Sequence, residues 1–347
     1  MNWHKIFRSL SPDPSLTLTA PVFIRHVFIR RVLISMVLVG LTGLGACSSG
    51  PADKPVQKSI SSPAQLLDQG IQQYNDNNYQ HAISYFEKSL LQYRSIDNQL
   101  GIAQNSLNIA KSLMAINNNQ LAAKYLLKAD AIIEQANLNR LTEHSHLLKS
   151  SLAISEKSYD EALQELESVL YSKQTDIQLA ALKNRTEIAF IKNDNDKQAW
   201  LDNYKTQQQR NPDTTRSHQA RILRFEAKQA NDKTTQQDLL QRSLIISRQL
   251  ANRPAIAATL KQWAEIDIET ENFADAEDKV LRALFIRHQL GDVKNSRLLL
   301  KRLDIIYQAT DNKKRSKTKI WIDKLSKHDL NDWDSLFSDF ENYPKTR

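Results

Sequence analysis

Glycine is scarce in this chain, with seven among 347 residues, beside nine prolines and a single cysteine. Gly40, Gly43 and Gly45 precede residue 47, which leaves Gly50, Gly70, Gly101 and Gly291 for everything after it. Loops that cradle phosphate, and the strained turns that expose a nucleophile, need clustered glycine because the backbone must approach its ligand or adopt positive φ. Those enzyme classes are not expected here. The lone Cys47 cannot form an internal disulfide. A charge excess of one sign is also missing. Five of the 47 basic and one of the 39 acidic residues precede Cys47, so 42 stand against 38 in the remainder. That is a mixed surface without the footprint of a nucleic-acid binder. Few helix breakers suit a chain that is nearly all helix.

What the chain does have is repetition. Gly70-x3-Tyr74 is followed by Asn77-Asn78-Tyr79-x2-Ala82-x3-Phe86-x3-Leu90, two apolar runs at helical spacing around an Asn-rich turn. The second half returns as Ala122-x3-Leu126-x2-Ala129, as Tyr159-x2-Ala162-x3-Leu166-x2-Val169, and as Phe273-x2-Ala276-x3-Val280-x2-Ala283. Ala82, Ala122 and Ala162 are each 40 apart, and Ala276 lies 114 beyond Ala162, three steps of 38. Neither helix of such a unit buries its stripe alone, so neighbours must stack. Alanine fits where two helices cross, since a larger side chain would hold them apart.

The pattern resembles the tetratricopeptide repeat. The resemblance covers residues 64–328 and implies an all-α fold, a right-handed superhelical solenoid of about seven such hairpins. Three repeats follow from period and amphipathicity: residues 179–190 with 199–204, 222–227 with 239–246, and 298–306 with 320–325. Asn77-Asn78, Asn117-Asn118-Asn119, Asn193-Asp194-Asn195, Asn231-Asp232 and Asp311-Asn312 supply the turns, because these residues tolerate left-handed backbone and cap helices. Pro212 and Pro254 fall between repeats.

Ahead of the repeats, Arg25, His26, Arg30 and Arg31 precede an uncharged run over residues 32–46, the build of a secretory signal. The run ends in Leu44-Gly45-Ala46-Cys47, which resembles the lipobox of bacterial lipoproteins. That resemblance implies a signal peptide over residues 1–46 and a covalent diacylglycerol and acyl lipid on Cys47. It implies no other cofactor. Ser48, where a retention signal shows Asp, implies the outer membrane, facing the periplasm. Residues 1–21 are more than a signal needs, so translation is expected to start near Val22. Residues 48–63, with three prolines and no hydrophobic period, read as a flexible tether with a reach of about 22 Å.

Candidate chemistry is sparse. His144-x-His146 is the only close pair among His81, His144, His146, His218, His288 and His328. Residues two apart on a helix point in different directions, so no metal is expected. Asp160–Glu161 and Glu277–Asp278 read as helix-start acids that suit the dipole. The basic residues of the later first helices are a candidate binding strip. Arg221, Arg224 and Lys228 share a face, with Lys261 in the sixth repeat and Arg297 and Lys301 in the seventh. The resemblance implies that first helices line the concave groove, where this strip would take an acidic peptide segment. The competing reading is a solvated face balanced by Glu226, Glu265 and Glu269.

Beyond the last repeat, over residues 329–347, Leu330, Trp333, Phe337 and Phe340 fall at helical spacing in an acidic tail. They are expected to fold back over residues 330–341 as a capping helix, the alternative being a docking motif for a partner's groove. Together these readings imply a non-enzymatic, membrane-anchored scaffold for envelope proteins or peptides of outer-membrane, pilus, secretion or cell-wall machinery. Neither nucleic acid nor a small-molecule substrate is expected. The alternative is a lipoprotein activator of a peptidoglycan enzyme.

Overall fold

The computed structural model describes residues 61–210, 212, 215–327 and 329–340. Leu44, Gly45, Ala46 and Cys47 lie outside them, as do the expected signal, His328 and Glu341. Among the described residues there are fourteen α-helices and no strand, each helix packing chiefly on its neighbours in sequence. They pair into seven hairpins: α1 (Pro63–Asn75) with α2 (Tyr79–Ser95), α3 (Gln99–Ala115) with α4 (Asn119–Gln135), α5 (Thr142–Glu156) with α6 (Tyr159–Glu167), and α7 (Thr175–Lys192) with α8 (Lys197–Gln209). Three more follow: α9 (Arg216–Gln229) with α10 (Lys233–Gln249), α11 (Arg253–Glu269) with α12 (Phe273–Gln289), and α13 (Val293–Ala309) with α14 (Arg315–Ser326).

The repeat signature explains the packing. Ala82, Ala122, Ala162 and Ala276 are all wholly buried in their second helices. Gly70 exists for Phe86: a Cβ at position 70 would meet the Phe86 ring at 2.4 Å, closer than any real contact. Gly101 makes the same room for Tyr93 of the preceding hairpin. The core is handed from unit to unit. Leu107 and Ile133 belong to the patch of the first three hairpins, Ile188 to the next, Tyr204 and Phe225 to the fourth and fifth, and Val280 and Leu303 to the last.

Four expected turns do carry left-handed backbone, at Asn77, Asn117, Asn193 and Asp311. The fifth does not. Asp232 instead caps α10, accepting from the Thr235 amide at 2.7 Å. Asp97, Asn137, Ala251 and Gly291 show that the links between hairpins repeat the turn used within them. The tether ends one residue earlier than its composition implied. Ser62 is the N-cap of α1, in a reciprocal capping box with Gln65, and Pro63 opens the helix. Pro254 likewise stands in the first turn of α11.

The tail folds back on the last hairpin, but not as the α-helix its spacing implied. Trp333–Asp339 is a 3-10 helix. With three residues per turn the buried set changes: Leu336 and Phe340 are enclosed, while Leu330 stays exposed. The cap is pinned by Trp321 Nε1 donating to Asp339 Oδ2 at 2.8 Å, and by ion pairs from Lys317 to Asp339 and from Lys324 to Asp332. On its inner side His288 Nε2 bonds the Trp333 carbonyl at 2.8 Å and its ring stacks on the indole.

Early and late hairpins also touch directly. Arg253 Nη2 donates to the carbonyls of Asp76 and Asn77, at 2.9 and 3.1 Å, and Asn77 Nδ2 reaches the Ala251 carbonyl at 3.5 Å. Asn117 Nδ2 donates to Asp292 Oδ1, and Lys294 Nζ to the Ser155 carbonyl at 3.3 Å. The turns of the first hairpins thus clasp the links before the sixth and seventh.

Candidate functional site

The first helix of each hairpin presents one face to the interior of the solenoid, and two cavities lie along that face. The first, of about 420 Å³, is lined by residues of α1, α3, α5, α7 and α9, and the second, of about 310 Å³, mainly by residues of α7, α9, α11 and α13. Arg221 lines both. A helical stripe repeated at about forty residues returns the same face to the same side, which is why the liners come almost wholly from first helices.

Four of the six expected strip residues, Arg221, Arg224, Lys228 and Lys261, line the second cavity, joined by Arg287. Against these five cations stand Glu187 and Glu265. Arg221 approaches Glu187 at 3.9 Å, and Lys261 pairs with Glu265 at 3.0 Å. Burial works against the Glu187 charge, yet Arg221, Lys183, Lys228 and Arg224 together hold its carboxyl below the usual range. Burial pushes Lys183 down to about 8, with Arg221 and Arg224 adding to the effect and Glu187 opposing it. Burial also lowers Lys228. Arg287 is already paired with the buried Asp292 at 3.0 Å, which leaves Arg221, Arg224, Lys228 and Lys261 against Glu187 and Glu265 in a walled space that attracts anions.

The strip is not one solvated face. Arg224 is 5% exposed, its Nη1 near Thr259 Oγ1 and its carbonyl accepting from Gln262 at 2.9 Å, so it is part of the wall. Arg297 and Lys301 line neither cavity. Arg297 turns to Ser326 Oγ, and Lys301 is exposed. In the last hairpin Arg302, one position on, points back to Glu265 at 3.1 Å. Of the balancing acids, Glu265 does sit among the cations. Glu226 is taken by Lys205 and Glu269 by Lys233.

The first cavity carried no forecast. Its wall is mostly apolar, with Leu107, Met114, Leu147 and Ile177, and its charged residues are Lys111, Lys183 and Arg221. Lys111 lies over the Tyr74 ring at 4.5 Å. The signal that could have found part of it is positional: Lys183 and Arg221 each stand ten residues before the turns at Asn193 and Asn231, while Lys111 stands six before Asn117, one helical turn further along. His144 faces this cavity while His146 leaves it to bond Glu165 at 2.5 Å, the divergence expected of residues two apart. Burial, aided by Lys111, holds His144 down to about 4.

Among the described residues no three His, Cys, Asp or Glu gather as metal ligands, and no helix is long and apolar enough to cross a membrane. Asp160 and Glu161 stand in the first turn of α6. Glu277 does not: it lies a turn further into α12 and accepts from the Tyr307 hydroxyl at 2.8 Å. No protein-family model matches the sequence, and no curated protein does.

Proposed function

We propose that this protein is a lipid-anchored scaffold whose solenoid holds acidic segments of envelope proteins or peptides in the groove between its first helices. Cys47 carries the lipid in this reading, and the outer membrane, on its periplasmic side, is where the scaffold works. It acts by binding and catalyses nothing. The observation that carries the reading is the convergence of Arg221, Arg224, Lys228 and Lys261 on one cavity with Glu187 and Glu265 opposite, beside Arg287, which Asp292 already pairs. An extended peptide with Asp or Glu at alternate positions would meet these cations with charge-assisted hydrogen bonds.

The test avoids Arg224, whose burial would turn a charge swap into a folding defect. Lys228→Glu with Lys261→Glu reverses two cations that border the cavity without forming its core. Fluorescence anisotropy with an acidic peptide at low salt should show at least a tenfold loss, about 1.4 kcal/mol, with the melting temperature kept. Raising salt should weaken the wild type in the same direction. Equal binding by the double variant would reduce the strip to a charged wall and end the proposal.

A further inference from the structure

The first cavity differs in kind from the basic trough. Leu107 and Met114 of α3, Leu147 of α5 and Ile177 of α7 make its walls, and no carboxylate lines it. Its volume of about 420 Å³ falls in the range of sites for small organic ligands. Two polar side chains in its wall are left over. Asn108 is 4% and His144 8% exposed, yet Asn108 Nδ2 lacks a hydrogen-bond partner and the His144 ring has none beyond the Arg140 backbone one turn earlier. Such groups cost about 1–3 kcal/mol each unless water or a ligand meets them, so two at one cavity mark where polar atoms of an occupant would sit. With its acidity pushed down to about 4, His144 is neutral near pH 7 and offers one N–H.

The leftover atoms define the ligand. Asn108 Nδ2 and the imidazole N–H are donors, and the ionisable side chains around them are basic, with no carboxylate among them. A peptide backbone would bring its own N–H groups into walls with no carboxylate to receive them. A ligand that only accepts, on a hydrocarbon body, suits both walls and donors. We propose that this chamber binds a small amphiphile with an apolar chain and a single carboxylate, the carboxylate taking the N–H groups of Asn108 and His144 and the chain lying against Leu107, Met114, Leu147 and Ile177. Arg221 and Lys183 supply the positive field that draws the anion in, while burial works against the charge of Lys111 and holds its ammonium well below the usual lysine range. The site stands apart from the peptide groove, with which it shares only Arg221.

The test uses the full chain with Cys47→Ser, so that no covalent lipid competes, and titrates dodecanoate by calorimetry with dodecanol as the uncharged control. Dodecanoate should bind, and dodecanol at least tenfold more weakly. Asn108→Leu and His144→Phe replace the leftover polar groups with side chains of similar shape. Each should weaken dodecanoate about tenfold while leaving the ligand-free melting temperature unchanged or raised, because an orphan polar group has been removed. Opposite signs for affinity and stability are what a merely structural Asn or His would not give. Equal affinity for acid and alcohol, undiminished dodecanoate binding in both variants, or no binding at all would each overturn the proposal. Lys228→Glu with Lys261→Glu should bind dodecanoate normally, so loss of the peptide groove and loss of this chamber are told apart.

Discussion

Ala82, Ala122, Ala162 and Ala276 have no exposed surface, and each marks a place where a second helix meets its neighbours. Ala82→Leu adds three carbons where none fit and should cost about 1–3 kcal/mol. Because a solenoid is stabilised mainly by nearest-neighbour contacts, hydrogen exchange should quicken most in the first two hairpins and stay unchanged in the fourth, which the clasp from Asn77 and Asn117 does not touch. A uniform change would contradict that packing. His144 makes a second single-residue expectation. Unfolded, its imidazole takes a proton near 6.5, and folded only near 4. From pH 6.5 down to about 4 the unfolded chain therefore binds more protons and stability falls. His218, buried and also lowered, adds to the same slope. His144→Phe should flatten the dependence in that window, measured by chemical denaturation at stepped pH, and an unchanged slope would refute the assignment. The alanines were legible in the sequence because spacing alone reports a crossing. His144 was legible only as one of a pair, since nothing in a sequence says that the apolar wall around it has no partner to offer.

Each helical hairpin is set by its turn. Asn77, Asn117, Asn193 and Asp311 take the left-handed backbone that glycine would supply more cheaply, and this explains how so glycine-poor a chain turns so often. Lys157, Ala251 and Glu271 do the same without a turn-forming side chain, so composition could not reveal them. The terminal segment shows the opposite limit. Apolar spacing located the cap, but an α-helical period was the wrong ruler for a 3-10 turn, and Leu336 was passed over in favour of Leu330. Deleting residues 329–347 exposes Trp321 and Leu325, now 2% and 1% exposed, and strips Lys317 and Lys324 of Asp339 and Asp332. The melting temperature should drop, and limited proteolysis should open new cleavage in α14. Unchanged stability would mean that the tail is a docking motif resting on the last hairpin.

Seen whole, the clasp from Asn77 and Asn117 to Arg253 and Asp292 joins hairpins far apart in the chain, and the two cavities lie along the inner face it bridges. Such contacts are invisible to a repeat pattern, which reports only neighbours. The basic strip was half legible for the same reason. Arg221, Arg224, Lys228 and Lys261 follow from helical phase, but Arg287 comes from a second helix, and a slight change of phase in α13 swaps Lys301 for Arg302. The groove-binding claim is tested most directly by site-specific photocrosslinking in the native envelope, from Lys261 in the trough and from Tyr171, 81% exposed, outside it. Crosslinks from Lys261 should map by mass spectrometry to acidic segments of a small set of envelope proteins, compete with an acidic peptide, and be absent from Tyr171. Equal capture from both positions, or crosslinked segments with no acidic excess, would contradict it.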